Sequence, residues 1–183
     1  MRDALYVAST LATLYRNGNA VGMANLAQLV NVLPLIQTDN ETAVATSIFY
    51  PFIFFSQMFS NVVSSQVRSK TFGNLPMGPN ITAHTNVPYL DAVASMDEKG
   101  EKLTAIFINR DPIQRMQVMV KFVSGITLHP KSTLCIKANH PLATNSFQHP
   151  YRVRITGGRP PASKGECWEL TMEPASLYLV EFD

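Results

Sequence analysis

The chain has 183 residues, of which 46% are hydrophobic, enough for the packed core of one medium domain or of a small domain plus part of another. Only 15% of the residues are charged and the net charge is +2, so the chain as a whole has no strong field for attracting nucleic acid or an anionic membrane. The composition therefore predicts a globular protein without a nucleic-acid or membrane partner.

The start of the chain and its most apolar run indicate whether the protein is secreted or crosses a membrane. Met1 leads directly into an amphipathic pattern and not into the apolar segment of a signal peptide, so we expect no secretory signal and a cytoplasmic protein. The most apolar run, Ile48 to Phe59, has 12 residues and contains Pro51. A bilayer span needs about 20 apolar residues, so this run predicts a buried helix.

The first third of the chain predicts an α/β arrangement. Asp3 can cap a helix whose apolar residues recur at helical spacing as far as Tyr15. The segment Val21–Ala27 follows and is apolar on both sides, as in a strand that is covered on both faces of a parallel sheet. A polar loop then leads to a second predicted helix, Ser47 to about Val63, which accepts Pro51 in its first turn.

The remainder of the chain predicts antiparallel β-structure. Residues 68–88 are rich in proline and glycine and read as a connection. Leu90–Met96 and Lys102–Asn109 flank the turn residues Asp97–Gly100 and predict a β-hairpin. Three further segments alternate apolar and polar residues and a fourth closes the chain: Met116–Phe122, Tyr151–Ile155, Trp168–Glu173 and Ser176–Phe182. Short strands at this spacing are typical of a β-sandwich or jelly roll.

The sequence contains no complete catalytic constellation. Cys135 and Cys167 have no further ligands at metal-binding spacing, which predicts two core thiols and leaves their disulfide status open. The four histidines include no pair at helical i, i+4 spacing, so no metal site is predicted: His84, His129, His140 and His149. No cofactor is expected either, since Gly157–Gly158 lacks the residues of a phosphate-binding loop.

The acidic residues are explained by turns. Asp39 and Glu41 could form a carboxylate pair, but they lie in a polar loop without apolar neighbours that would raise a pKa, so we expect a solvated loop. Asp97, Glu98 and Glu101 belong to the tip of the predicted hairpin, where turn chemistry accounts for them.

Gln28 is the candidate binding residue. An amide at the carboxyl end of a buried parallel strand lies where α/β barrels place their ligand-contacting side chains, and it offers both a donor and an acceptor to a hydroxylated ligand. The alternative is a buried amide that is satisfied by neighbouring backbone groups. Asn25 and Asn31 are weaker candidates of the same kind.

Several segments resemble the late part of the α-L-arabinofuranosidases of glycoside hydrolase family 51. The most specific are AQLVN within Met23–Val32 and FYPF within Ile48–Phe52. Others agree in order along essentially the whole chain: Asp3–Leu5, Val87–Leu90, Asn109–Arg110, Asn139–Asn145 and Pro174–Leu177. Ala43–Thr46 departs from the family, which usually has a tryptophan-bearing stretch there.

The resemblance implies a fold. In that family a TIM (β/α)8 barrel precedes a C-terminal jelly roll. Residues 1–63 would then hold the last helices and eighth strand, Val21–Gln28, of an incomplete barrel, and residues 64–183 would form an antiparallel β-sandwich.

The resemblance also implies a chemistry. The family is retaining, with one glutamate as acid/base, a second as nucleophile and a covalent glycosyl-enzyme. Both lie on earlier barrel strands, so no catalytic residue is assigned in this chain and Glu41 matches neither. Gln28 is similar to the glutamine that hydrogen-bonds the arabinofuranosyl ring. The implied parent removes terminal non-reducing α-L-arabinofuranosyl residues from arabinan or arabinoxylan and forms a homo-oligomer.

Two expectations and two rival functions follow. This chain alone should be inactive, and residues 1–63 should be poorly protected from hydrogen exchange because a barrel strand lacks its neighbours. The rivals are a non-catalytic carbohydrate-binding sandwich and a purely structural or oligomerisation domain.

Overall fold

The computed structural model describes residues 1–26, 29–74, 82–122 and 125–183. Within these ranges it contains two helices, α1 (Arg2–Arg16) and α2 (Phe49–Phe55). The strands found there are, in chain order, β1 (Ile36–Thr38), β2 (Ala43–Ala45), β3 (Asn61–Val63), β4 (Thr71–Asn74), β5 (His84–Pro88), β6 (Leu90–Met96), β7 (Leu103–Asn109), β8 (Met116–Val120), β9 (Pro130–Lys137), β10 (Arg154–Gly157), β11 (Ala162–Lys164), β12 (Cys167–Met172) and β13 (Ser176–Phe182).

The strands form a two-layer β-sandwich with two small hairpin-like additions. The main sheet is antiparallel and has six strands in the order β10-β9-β13-β7-β6-β3. A three-stranded sheet, β11-β12-β8, packs against one of its faces, while β1-β2 and β4-β5 form separate pairs. The sandwich that the alternating sequence pattern predicts is therefore present.

The two central strands of the main sheet are buried on both faces. In β13, Leu177 and Leu179 belong to one core cluster, whereas Tyr178 and Val180 belong to the other. Successive side chains of a strand point to opposite faces, so one strand supplies two cores. The second core lies between the two sheets, and the first lies between the main sheet and the helices.

Helix α1 is part of the first core. Ala4, Ala8 and Ala12 recur every four residues, and all three are fully buried in the same cluster as Val93 and Leu177. Alanine methyl groups allow the helix axis to lie close to the sheet, and the spacing keeps them on one face of the helix. The N-terminal segment is therefore packed on the β-sandwich.

The predicted β-hairpin is confirmed at the residues where the sequence places it. The ladder between β6 and β7 runs from Leu90 opposite Asn109 to Met96 opposite Leu103. At its tip, the Asp97 carboxylate accepts hydrogen bonds from the N–H groups of Glu101 and Lys102, at 2.8 and 2.9 Å. These bonds explain the acidic residue as a turn former.

The strand predicted over Val21–Ala27 is absent from the described residues 21–26, which form no regular element and are mostly exposed. A parallel strand needs hydrogen-bonded neighbours, and the described part of the chain offers only one parallel contact, an isolated bridge between Val30 and Ile36. The strand prediction is therefore wrong for residues 21–26 as the structure describes them, because an apolar pattern does not form a strand without a strand to pair with.

The second helix is shorter than predicted. It ends at Phe55, where the hydroxyl of Ser56 donates to the carbonyl of Ile53 at 2.8 Å, and the chain then enters β3. The β-branched residues Val62 and Val63 pair with Ser95 and Ala94 of β6, so sheet pairing overrides the helical pattern beyond residue 60.

The other strand predictions mostly stand. β8 and β13 lie within the predicted segments, β12 begins one residue before its predicted segment, and β10 begins at Arg154, later than expected. β9 was not predicted, because Pro130–Lys137 mixes buried and exposed side chains without regular alternation. The division of the chain at residue 63 stays a prediction. Helix α1 packs on the main sheet and β3 pairs with β6 within it, so elements from before residue 63 contact the later strands.

Candidate functional site

The predicted binding residue, Gln28, lies with Ala27 outside the described residues. The structure does describe the chain on both sides, residues 17–26 and 29–35, which we call the flanking loop. It exposes a run of apolar side chains: Met23, Leu26, Leu29, Val30, Val32 and Leu33. Met23 is 77% exposed and Leu33 is 85% exposed, values typical of a surface that another part of a protein covers.

The flanking loop begins at a buried ion-pair cluster. Arg16, the last residue of α1, donates from Nη1 to Asp91 Oδ1 at 2.9 Å and to the carbonyl of Ala92 at 3.1 Å. Arg110 pairs with the other oxygen of the same carboxylate at 2.6 Å. The Asp91 side chain is only 12% exposed, so this cluster fixes the end of α1 to the start of β6.

The flanking loop ends at a second anchor. Pro34 is buried, and its carbonyl accepts a hydrogen bond from the Thr46 hydroxyl at 2.9 Å. The N–H of Thr46 donates to the carbonyl of Leu35 at 2.9 Å. Because Thr46 directly follows β2, it ties the end of the loop to the β1-β2 hairpin.

Asn145 connects that hairpin to the sandwich. Its amide donates to the carbonyls of Ala45 and Val153 at 2.9 and 2.8 Å, and its carbonyl accepts from the Val153 N–H at 2.8 Å. The residue is 7% exposed, so these bonds form away from water. The sequence alone did not predict this role. Asn145 appeared there only as the end of the segment Asn139–Asn145 that resembles the family, and nothing in the pattern around one asparagine indicates such contacts.

The two weaker amide candidates do not behave as ligand-binding groups. Asn25 is exposed. Asn31 has a positive φ of 64° and uses its side chain within the loop, donating to Thr38 Oγ1 at 2.8 Å and accepting from the Thr38 N–H at 2.7 Å. An asparagine tolerates this backbone conformation, so its role is structural.

The carboxylates of the adjacent hairpin act as turn formers. Asp39 Oδ1 accepts hydrogen bonds from the N–H groups of Glu41 and Thr42, at 2.9 and 2.7 Å. These bonds stabilise the ionised carboxylate and hold the pKa of Asp39 below its ordinary value. A depressed pKa is the opposite of what a catalytic acid needs, so the expected solvated loop is confirmed.

The cysteines and histidines do not assemble into a site in the described part of the chain. Cys135 and Cys167 are both free; the first is buried and the second is half-buried. Among the described residues no three histidine, cysteine, aspartate or glutamate side chains lie together as metal ligands would. The described histidines therefore do not form a metal-ligand cluster.

The fold and the flanking loop together define a class of protein: a β-sandwich whose core includes the helix before the loop, and a loop that is anchored at both ends and exposes apolar side chains. The profile of the family described as "Alpha-L-arabinofuranosidase C-terminal domain" matches residues 1–176. The chain belongs to this family.

One curated relative is the intracellular exo-alpha-(1->5)-L-arabinofuranosidase of Halalkalibacterium halodurans, 30% identical over 145 residues. The match includes 78% of this chain but 28% of that enzyme, so the chain spans less than a third of the relative's length.

Solved structures agree over the whole chain. A thermostable GH51 α-L-arabinofuranosidase from Thermotoga petrophila superposes with a TM-score of 0.86 and 26% identity, covering 99% of this chain and 38% of that one. An arabinose complex of the Thermotoga maritima α-L-arabinofuranosidase gives a TM-score of 0.83 and 27% identity, covering 98% of this chain and 37% of that one.

Neither helix in the described ranges has the length and apolar character that crossing a bilayer requires.

Proposed function

We propose that this chain is the C-terminal part of a retaining α-L-arabinofuranosidase that hydrolyses terminal non-reducing α-L-arabinofuranosyl residues of arabinan or arabinoxylan. The observation that carries the proposal is the family match over residues 1–176, which includes the flanking loop as well as the sandwich. The relatives' names, an exo-arabinofuranosidase and an arabinose complex, supply the substrate class. The product would feed L-arabinose metabolism.

The flanking loop supports a place in a larger fold. Its two ends are anchored by Arg16–Asp91 and by Thr46, whereas the apolar side chains of its described residues are exposed. In the parent, residues 21–28 would gain their sheet neighbours from earlier strands and become the last strand of the barrel. This also assigns residues 1–63 to the end of the barrel and residues 64–183 to the sandwich domain, as the sequence predicts.

Gln28 is then the one residue of this chain that reaches the sugar. Its amide would hydrogen-bond the arabinofuranosyl ring, and these bonds would strengthen as charge develops in the oxocarbenium-like transition state. Both catalytic glutamates would come from earlier strands of the parent, so the 183 residues alone would hydrolyse nothing. A cytoplasmic location and a homo-oligomeric parent complete the proposal.

The test uses the full reading frame that contains these residues, with an aryl α-L-arabinofuranoside as substrate. The parent should release arabinose, and Gln28→Ala should lower kcat/KM by about a hundredfold, mainly through kcat. Asn25→Ala is the matched control and should change kcat/KM by less than about twofold, because Asn25 is exposed. An inactive parent rejects the function; an active parent with an unaffected Gln28→Ala variant rejects the residue assignment alone.

Location and assembly have separate tests. Fractionation of the source cells with an antibody to the sandwich should place the parent in the cytoplasm, and sedimentation of the purified parent should give more than one subunit. A secreted parent or a monomer would reject the corresponding statement without affecting the activity.

A further inference from the structure

One end of the main sheet carries an open basic cleft of about 620 Å³. It lies where β9 and β7 end and where β10 and β13 begin, on the opposite end of the β6-β7 ladder from the hairpin tip. The residues that give it its chemical character are Arg115, Lys137, Tyr151, Arg152, Arg154 and Glu173.

The cleft concentrates the positive charge of the chain. Its four basic side chains and its one carboxylate give it a net charge of +3, whereas the whole chain has +2. That carboxylate, Glu173, is already paired with Arg115 at 2.9 Å. The nearby Asp111 accepts hydrogen bonds from the N–H groups of Ile113 and Gln114 and is used by its own turn. The chain therefore has a low net charge as a whole and a strongly positive local charge in the cleft.

Two of the basic residues face each other directly. Lys137 of β9 and Arg154 of β10 are register partners in the antiparallel ladder, which places their Cβ atoms about 5 Å apart. Both are exposed, and neither has an acidic partner among the described residues. Directly opposed like charges destabilise a sheet, so this pair costs stability unless an anion lies between them.

The cleft also offers an aromatic surface. Tyr151 is 69% exposed and lines the cleft next to Arg152. An exposed ring beside guanidinium groups provides an apolar face for the C–H face of a sugar and donors for a carboxylate. Inorganic phosphate would use the cations but not the ring.

We propose that this cleft binds an acidic saccharide, a short oligosaccharide carrying a uronic acid. The carboxylate lies between Lys137 and Arg154, where arginine can hold it with two parallel hydrogen bonds, and the pyranose ring packs on Tyr151. The choice of a sugar acid among carboxylates rests on the proposed function, which makes glycans the polymers that this protein meets, and on the exposed ring of Tyr151. The cleft would hold the polymer at a distance from the barrel.

The test is a calorimetric titration of the purified 183-residue chain with a galacturonic acid trisaccharide and with its neutral galactose counterpart. Only the acidic trisaccharide should bind measurably at low salt, and raising the salt from about 20 to 200 mM should weaken binding several-fold. The double variant Lys137→Gln, Arg154→Gln should weaken binding at least about tenfold, and Tyr151→Ala should weaken it to a smaller extent. All these side chains are exposed, so none of the variants should lower the thermal midpoint, and removal of the two opposed charges should raise it slightly.

Lys99→Gln is the matched control, because Lys99 lies in the hairpin tip beyond the far end of the β6-β7 ladder, about 20 Å away. It should leave the affinity within about twofold. Equal binding of the neutral trisaccharide, or equal loss in Lys99→Gln and in the double variant, overturns the proposal. Binding of inorganic phosphate with the affinity of the trisaccharide overturns the saccharide and leaves a general anion site.

The full-length parent must give the same affinity in the same titration. Loss of binding there would show that the cleft is covered by the rest of the polypeptide, and sedimentation of the isolated chain that shows a dimer broken by the double variant would show an interface between copies; either result rejects the proposal. Because the readout is binding, an inactive parent would reject the proposed function and leave this result unaffected.

Discussion

The guanidinium of Arg16 and the carboxylate of Asp91, which are 75 residues apart in sequence, lie 2.9 Å apart in the structure. Their bond joins the end of α1 to the start of β6, and Arg110 shares the same carboxylate. The relationship fixes the direction in which the chain leaves the sandwich to form the flanking loop.

Replacing Asp91 should therefore destabilise the protein as a whole. In Asp91→Asn, the two arginines keep their charge in a partly buried cluster without a counter-ion, and we expect the free energy of unfolding to fall by about 2 kcal/mol in a urea titration. Asp3→Asn is the control, since its pair with Arg2 is exposed; it should cost less than about 0.5 kcal/mol. Equal effects of the two variants would show that the cluster does not hold α1.

The close approach of α1 to the main sheet leaves no room for a larger side chain at its centre. Ala8 is fully buried between its two equivalents, Ala4 and Ala12. Ala8→Leu should displace the helix and lower the free energy of unfolding by about 2 kcal/mol. Thr10→Leu places the same side chain on the exposed face and should change it by less than about 0.5 kcal/mol. A neutral Ala8→Leu variant would mean that the helix is not packed as described.

The amides of α1 should exchange their hydrogens much more slowly than those of the flanking loop. The sequence predicts poor protection throughout residues 1–63, but the burial of α1 changes this expectation for its amides. Amides of residues 6–16 should exchange with the slow class that includes β7, and those of residues 20–26 should exchange rapidly. Mass spectrometry of peptic peptides resolves these regions. Equally fast exchange in α1 and in the loop would support the original expectation.

Asn145 should be necessary for the attachment of the β1-β2 hairpin. Asn145→Ala leaves the Val153 N–H and C=O and the Ala45 carbonyl without their side-chain partner, and we expect a loss of about 2–3 kcal/mol in the free energy of unfolding. Asn40→Ala, in the exposed turn of the same hairpin, is the control and should be nearly neutral. An Asn145→Ala variant as stable as this control would assign the attachment to other contacts.

High pH should reveal the buried tyrosines. Burial raises the pKa of Tyr178, whose hydroxyl also accepts a hydrogen bond from the Glu173 N–H at 3.3 Å. The unfolded chain then loses this proton at a lower pH than the folded chain, so the stabilisation is complete below about pH 10 and is lost as the pH rises through the folded pKa.

The measurement is the thermal midpoint of Tyr178→Phe between pH 8 and about pH 11, with the phenolate absorbance followed in parallel. The variant should lose less stability than the unmodified chain over this range and should lack one of the phenols that titrate at high pH. Tyr6→Phe, which removes the hydroxyl of a 75% exposed tyrosine, should follow the unmodified chain in its loss of stability with pH. Identical pH profiles for the two variants would contradict the assignment.

The sequence predicted the sandwich well because each of its central strands carries its own evidence of burial. The β6-β7 hairpin combines two apolar segments with the turn formers between them, and β13 is a mostly apolar run at the end of the chain; these local patterns agree with the final sheet. Helix α1 was also predicted, but not its position, because periodicity identifies an apolar face and does not identify what the face contacts.

The errors have one physical origin. Val21–Leu26 has the composition of a strand, and Asn61–Val63 follows a helical pattern, yet the first lacks a strand to pair with and the second finds one in β6. Pairing partners are set by tertiary structure, so a local pattern cannot supply them. The same holds for the basic cleft, whose members come from four separate segments and look unremarkable in a chain of low net charge.

The burial of α1 has a consequence for how this family member can be divided. A single core is built from segments on both sides of the flanking loop, so the loop is an excursion from the sandwich and not a linker leading to it. A cut placed at residue 63, where the sequence predicts the domain boundary, would remove the helical cover of one face of the main sheet and expose Leu177 and Leu179. In the proposed parent, movement of the sandwich would then be transmitted through these two anchors to the segment that holds Gln28.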